Sequence, residues 1–309
     1  MALTEFQLID RFFANVGDSS SVLLGVGDDA AALDLPPEHV LLVSTDTLSE
    51  AVHFPANTRG FDVAYRAVGT AASDLAAMGA APLGMLLSVS LPRADTDWLA
   101  DFSAGLREVS ALMQLPLVGG DTTQGALSIT VTVLGSAPKA GYLTRRGARP
   151  GDRLCVSGTL GDAAAGLSIS SGETLGDGSA ATFLVERFLR PSARLELGQR
   201  LRDLATAAID ISDGLLADAA RLASCSGVAI EIDAGALPLS EAIQRVADPA
   251  QQLDWALSGG DDYELLFTLP PDGALPIECT QIGRVLEGHG VSCDVRPQRA
   301  GYELSLIHI

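Results

Sequence analysis

Acidic residues follow glycine, serine or threonine at several places in this sequence. The stretches are GVGDD (25–29), STDT (44–47), VGGDTT (118–123), IDISDG (209–214) and SGGDDYELLF (258–267). Glycine lets a backbone come close to a ligand, and Mg²⁺ prefers carboxylates, waters and substrate phosphates. The pattern therefore indicates a phosphate-handling site in which several carboxylates hold several magnesium ions.

Each acid also has an ordinary explanation, because aspartate is common in turns and at helix N-termini. Asp213 can cap a helix that starts at Gly214, and Asp121 can be a turn residue. Asp74 fits this explanation less well. It lies late in a predicted helix of alanine, leucine and valine, with no Arg or Lys three or four residues away. A buried carboxylate there needs a partner, and a metal ion would supply one.

Composition excludes several classes of protein. The formal net charge of −19 argues against a nucleic-acid or anionic-membrane surface. The single lysine, Lys139, excludes a Walker A loop and the strand lysine of protein kinases. No apolar run is long enough for a membrane span. The four cysteines show no C-x-x-C or zinc spacing, and free thiols fit a cytoplasmic protein.

The elements that must position these acids alternate between strand and helix, which predicts an α/β protein of two domains. Residues 138–152 are basic and rich in Gly and Pro, so we expect a linker at 139–148, between domains at 1–138 and 149–309. Strands are predicted over 39–47, 81–92, 116–123 and 126–137, and helices over 62–82 and 96–115. The first of these strands is expected to be buried. In the second half, strand, turn and helix follow one another from 153 and again over 207–227.

The motifs, taken in order, resemble those of the thiamine-monophosphate kinase family. They are EFQLIDRFF, GVGDDAA, STDTL, SDLAAMGA, GGDTT, LTRRGARPGD, IDISDGL and LSGGDDYEL, spread from about residue 4 to 268. The resemblance implies a two-domain fold of the aminoimidazole-ribonucleotide-synthetase type, whose N-terminal domain dimerises through its sheet. It also implies that ATP phosphorylates thiamine monophosphate to thiamine diphosphate by direct in-line transfer, assisted by several Mg²⁺ ions.

The resemblance assigns roles to individual residues. Magnesium would be held by Asp29, Ser44, Thr45, Asp46, Asp74, Asp121, Asp210 and Asp213. ATP would be contacted by Gly120, Asp121, Arg145 and Ser212, and the thiamine substrate by His53, Asp261 and Tyr302. No covalent nucleophile or general base is expected. The implied partners are the two substrates and a second copy of the chain, with no nucleic acid and no membrane.

Three features depart from the family pattern, and two alternatives stay open. Position 261 is Asp where many relatives carry Glu, the segment 269–283 is shorter than usual and is expected to lack a helix, and the closing residues LSLIHI (304–309), just after Tyr302, are atypical. One alternative is another ATP-dependent enzyme of the same superfamily. The other is a non-catalytic, acidic dimer that binds divalent ions. For His53, a half-buried histidine at a strand end is the ordinary explanation.

Overall fold

The computed structural model describes residues 5–172 and 178–295, with the side chains of residues 5 and 6 left out. They divide into two compact units, and the chain passes from the first to the second between Tyr142 and Leu143. The short segment Ala76–Met78 groups with the second unit. The chain therefore changes unit within residues 139–148, the predicted linker.

The first unit is built on a four-stranded sheet of order β3-β6-β4-β5, in which only β4 and β5 run parallel. The parallel pair is connected through helix α3, as parallel pairing requires. A two-stranded ribbon, β1 with β2, precedes the sheet. The elements are α1 (Glu5–Phe12), β1 (Val22–Leu24), β2 (Ala32–Leu33), β3 (His39–Ser49), α2 (Gly60–Ala77), β4 (Ala81–Leu91), α3 (Thr96–Met113), β5 (Leu117–Gln124) and β6 (Ser128–Pro138).

One face of this sheet is covered and the other is exposed. Helix α2 packs on the covered face, where a side chain at Gly135 of β6 would meet Leu75 of the helix. Strand β3 lies at the sheet edge, and its residues alternate between half-buried and exposed. The prediction of a buried strand ending in a polar turn was therefore wrong. The strand continues through STDT to Ser49, so Ser44 and Asp46 lie within it.

The second unit contains a six-stranded sheet of order β12-β9-β11-β7-β10-β8, antiparallel except for the pair β9 and β12. The predicted successions of strand, turn and helix are confirmed at β7 with α4 and at β8 with α7. The elements are β7 (Arg153–Ser157), α4 (Asp162–Ser170), α5 (Gly178–Leu189), α6 (Leu195–Leu201), β8 (Ala207–Asp210), α7 (Leu215–Ser226), β9 (Ala229–Ile232), α8 (Glu241–Val246), α9 (Pro249–Ser258), β10 (Leu265–Leu269), β11 (Cys279–Leu286) and β12 (Gly290–Cys293).

The core of the second unit lies between the sheet and its helices. Ile209 of β8, Leu222 of α7 and Leu266 of β10 belong to one cluster of buried aliphatic side chains. Cys155 and Cys279 are buried free thiols, whereas Cys225 is exposed. Among residues 5–172 and 178–295, no helix is long and apolar enough to cross a membrane.

Candidate active site

An acidic pair lies on the covered face of the first unit's sheet. Asp46 of β3 and Asp74 of α2 are both half-buried, and the Ser44 hydroxyl donates a hydrogen bond to Asp74 Oδ2. Burial, and then the charge of Asp74, raise the pKa of Asp46 to about 6. Two carboxylates and a hydroxyl thus come together. No arginine or lysine is among the causes of the raised pKa of Asp46. Such an oxygen donor set suits a magnesium ion.

Thr45 lies on the opposite face of the sheet, because successive strand residues point to opposite sides. Its hydroxyl is 2.9 Å from the Thr132 hydroxyl of the neighbouring strand. The Thr45 side chain therefore does not join those of Ser44 and Asp46.

A cavity of about 940 Å³ lies on the exposed side of the first unit's sheet. The loop at 26–31 forms one wall, with Asp29 in it, and Gly120 and Asp121 of β5 contribute to the other. Asp121 lies inside a strand, so it is not the turn residue that its sequence context permits. At Gly120 a Cβ atom would lie 1.9 Å from the Leu87 carbonyl oxygen, so this position requires glycine.

His53 follows β3 and is fixed by hydrogen bonds at three of its polar atoms. Its amide donates to the Ser49 carbonyl at 2.9 Å, and its carbonyl accepts from Arg66 Nε at 3.0 Å. The Ser49 amide donates to His53 Nδ1 at 3.0 Å. An Nδ1 that accepts a hydrogen bond places the proton of a neutral imidazole on Nε2. His53 can therefore donate a hydrogen bond from Nε2 to an anionic ligand.

In the second unit, the turn at 211–214 contains Ser212 and Asp213, just after Asp210 ends β8. The buried Asp218 of α7 accepts hydrogen bonds from the amides of Ser212 and Asp213, both at 3.0 Å. Arg221 pairs with the carboxylates of Asp213 and Asp218. The N-cap of α7 is Gly214, without a side-chain cap bond, so Asp213 does not cap this helix.

The loop at 259–263 is bonded to that turn along the backbone. The Asp261 amide donates to the Ser212 carbonyl, and the Tyr263 amide donates to the Ile211 carbonyl, both at 2.9 Å. The residue assigned to the thiamine substrate is thereby held against the turn that contains Ser212.

Two further assignments concern Arg145 and Tyr302. Arg145 is exposed, and its carbonyl accepts from the Ser226 hydroxyl at 2.9 Å. Tyr302 lies outside the described residues. Among residues 5–172 and 178–295, no three His, Cys, Asp or Glu side chains are close enough to hold one metal ion. Of the assigned acids, Asp46 and Asp74 lie close enough for the charge of Asp74 to raise the pKa of Asp46.

Several buried charged residues were missed by sequence reasoning. Asp218, Asp262 and Glu264 are each at most 2% exposed. The Asp262 carboxylate accepts from the Gly161 amide at 3.0 and 2.9 Å, and Glu264 accepts from Arg194 and Arg187. Burial, the largest influence, raises the pKa of Glu264, but Arg194 together with Arg187 and Ser157 brings that pKa below its ordinary value. Two of these acids, Asp262 and Glu264, lie inside the stretch SGGDDYELLF itself.

Comparison with known proteins matches both halves of the chain to one family. Residues 27–137 match the N-terminal domain of the AIR synthase related proteins, and residues 149–296 match the C-terminal domain. The thiamine-monophosphate kinase of Escherichia coli K12 is 46% identical over 287 residues, which are 92% of this chain and 88% of the relative. That of Haemophilus influenzae is 43% identical over 301 residues, or 94% of this chain and 92% of the relative.

Solved structures agree with the sequence matches. The crystal structure of thiamine-monophosphate kinase from Stenotrophomonas maltophilia K279a superposes with a TM-score of 0.86 at 42% identity, covering 95% of this chain and 98% of that one. A structure described as AaThiL complexed with AMPPCP and TMP superposes with a TM-score of 0.80 at 35% identity, covering 97% and 98%.

Proposed function

Because this chain belongs to the thiamine-monophosphate kinase family and is an enzyme of that class, we propose that it transfers the γ-phosphoryl group of ATP to thiamine monophosphate. The products are ADP and thiamine diphosphate. The main support is the similarity, over 97% of the chain, to a relative solved with AMPPCP, an ATP analogue, and with TMP. We propose that the acids of the first unit, and the bonded turn and loop of the second unit, each supply groups that bind substrate.

We propose that magnesium ions assist this transfer. Asp46 and Asp74, with the Ser44 hydroxyl, would hold one ion on the covered face of the first unit's sheet. Asp29 and Asp121, which both line the cavity on the exposed face, would contribute further oxygens, as would Asp210 and Asp213. Magnesium usually keeps several waters and binds one or two carboxylates plus substrate phosphates, so paired acids are sufficient. Bound magnesium would screen the repulsion between the two anionic substrates.

The chain itself needs no general base for this reaction. The acceptor is a phosphate oxygen, which is already anionic at neutral pH. Catalysis of phosphoryl transfer consists mainly of positioning and charge stabilisation, and we propose that the acceptor oxygen and the leaving oxygen are held in line. Gly120 and Ser212 would contact ATP through the backbone, and Arg145 through its guanidinium. Transfer would be direct, without a phospho-enzyme.

The thiamine substrate would be bound by groups of complementary charge. Thiamine monophosphate has a cationic ring and an anionic phosphate. We propose that the Asp261 carboxylate faces the cationic part and that His53 donates from Nε2 to an oxygen of the substrate. Tyr302 remains a proposed contact from the family resemblance.

We also propose that the enzyme is a cytoplasmic homodimer that pairs through the exposed face of the first unit's sheet. Leu41 and Val43 of β3 and Leu86 of β4 are exposed on this face at 48%, 56% and 37%. Apolar side chains concentrated on one sheet face mark an interaction surface more often than scattered ones do.

The test is ADP release in the presence of ATP and Mg²⁺, with the product identified by chromatography. Thiamine monophosphate is compared with thiamine, with aminoimidazole precursors and with no acceptor. We expect release only with thiamine monophosphate, and thiamine diphosphate as the product. Release with another acceptor would favour a sister enzyme of the superfamily. Mg²⁺ binding without any turnover would favour a non-catalytic ion-binding dimer.

A further inference from the structure

Tyr263 makes a specific contact with the proposed substrate residue. Its hydroxyl donates a hydrogen bond to Asp261 Oδ1 at 3.1 Å. The ring is only 9% exposed, whereas Asp261 is half-buried. The buried tyrosine ring has little freedom to move, so its hydroxyl is presented to the carboxylate oxygen from one direction. The contact therefore fixes the direction of the Asp261 carboxylate.

The backbone around this contact adopts an unusual conformation. Asp261 has φ 61° and Tyr263 has φ 50°, both in the left-handed region. Aspartate visits this region fairly often, but for a bulky residue such as tyrosine it is an outlier. Strained residues of this kind persist where the surroundings over-determine them, and they concentrate at binding and catalytic sites. The strain indicates that the positions of these two side chains matter.

Neighbouring residues show what holds the loop in place. Asp262 turns inward and accepts twice from the Gly161 amide, while Asp261 and Tyr263 are bonded to Ser212 and Ile211 along the backbone. The loop is therefore anchored without the tyrosine hydroxyl. The contact from that hydroxyl to Asp261 is an addition to an anchored loop, and it can serve the carboxylate itself.

We propose that Tyr263 is a positioning residue for the thiamine substrate and acts through Asp261. The inference rests on the proposed function. The hydroxyl keeps the short aspartate side chain directed at the cationic ring of thiamine monophosphate. Without this hydrogen bond, the carboxylate would rotate among several orientations and would face the ring for only part of the time. Because Tyr263 acts through the Asp261 carboxylate, we expect its effect on substrate binding and not on the transfer step.

The test compares steady-state kinetics of wild type, Tyr263→Phe, Asp261→Gly and the double variant. Glycine tolerates the left-handed backbone at 261, so the loop keeps its course while the carboxylate is removed. We expect Tyr263→Phe to raise KM for thiamine monophosphate by about tenfold, as for a lost hydrogen bond to a charged group. KM for ATP, kcat and Tm should change little. In the Asp261→Gly background, the same substitution should have no further effect on KM.

Tyr142→Phe is the matched control, because Tyr142 is exposed and lies in the other unit. It should leave all constants unchanged. Three results would each overturn the inference: an unchanged KM in Tyr263→Phe, an equal loss in both Asp261 backgrounds, or a lower Tm with both KM values raised. Failure of the wild type to phosphorylate thiamine monophosphate would instead contradict the proposed function.

Discussion

At the scale of the residue, the orientation of His53 gives a sharp prediction. The Ser49 amide donates to Nδ1, so the proton of the neutral ring is on Nε2. Glutamine places an amide NH₂ near the position of Nε2, whereas asparagine places one near Nδ1. His53→Gln should therefore keep KM for thiamine monophosphate within a few-fold of wild type. His53→Asn should raise it by about tenfold, equivalent to about 1.4 kcal/mol.

The measurement is steady-state kinetics with thiamine monophosphate varied at saturating ATP. Long-range ¹⁵N NMR of the wild type, with His53→Gln used for assignment, reports the tautomer directly. Equal KM values for the two variants, or a proton found on Nδ1, would contradict the assignment.

Asp46 gives a prediction about pH. Its pKa is raised to about 6 in the metal-free fold, mainly by burial, from an ordinary value of 3.8. Between these values the native state binds a proton that the unfolded chain does not, so stability falls as pH rises through this window. Above pH 6 the Asp46 carboxylate is ionised in the folded protein, and burying this charge lowers the free energy of unfolding by its full amount. Asp46→Asn should therefore stabilise the metal-free protein at pH 7.5 by about 1–2 kcal/mol, and by less at pH 5.

Urea unfolding in EDTA at the two pH values measures this difference. Asp97→Asn, at an exposed acid in the first turn of α3, is the control. The same Asp46→Asn protein should show almost no kinase turnover, since it lacks a proposed magnesium ligand. A destabilised variant at pH 7.5 would show that the Asp46 carboxylate has a favourable partner in the metal-free fold.

At the scale of the element, sequence patterns located the long helices and strands of the first unit and fewer elements of the second. They did not show on which face of an element each residue lies. Helix α2 was expected over 62–82 and spans Gly60–Ala77, because Gly79 and the following strand end it. Strand β3 was expected to be buried because its residues are apolar. Its place at a sheet edge, which depends on pairing with β6 nearly ninety positions later, leaves alternate residues exposed. The residue pattern of a single strand does not show which distant strand it pairs with.

The candidate site shows the same division. Ser44 and Asp46 are two residues apart on a strand, so a shared face follows from the sequence once the strand is recognised. Their meeting with Asp74 depends on how α2 packs across the sheet. The buried acids Asp218 and Asp262 bond to amides of other loops, and those partners are set by the tertiary fold. The family motifs assigned roles to residues of the candidate site without giving these contacts.

The N-terminal turn of α7 provides a prediction about an element. Asp218 accepts from the amides of Ser212 and Asp213 and pairs with Arg221, so it holds the turn in shape. Asp218→Asn removes the charge and turns an amide NH₂ toward one of these donors. We expect a loss of about 1–3 kcal/mol in the free energy of unfolding and a raised KM for ATP.

Urea unfolding and ATP-dependent kinetics test this, with Asp203→Asn at an exposed position as the control. Unchanged KM for ATP together with the expected loss of stability would show that the turn does not position Ser212 for ATP.

At the scale of the whole molecule, the net charge and the exposed sheet face raise separate questions. A chain of net charge −19 that binds two anionic substrates needs cations to lower the repulsion, which fits a requirement for magnesium. The same charge opposes non-specific association of two copies. A dimer must therefore gain its stability from an apolar surface, and the exposed face of the first unit's sheet provides one.

Val43→Glu tests that surface. Val43 lies on the edge strand β3 and is 56% exposed on this face, so a glutamate there would bury an unpaired charge in the proposed interface. We expect the wild type to elute as a dimer in size-exclusion chromatography with light scattering, and Val43→Glu as a folded monomer. Leu112→Glu, at a residue on α3 that is 64% exposed, is the control and should remain a dimer.

Because residues of the same face, Leu86 and Thr132, line the cavity with Asp29 and Asp121, the monomer should also lose most of its turnover. A Val43→Glu dimer with normal turnover would assign dimerisation to another surface, and a monomeric wild type with full activity would show that pairing is not needed.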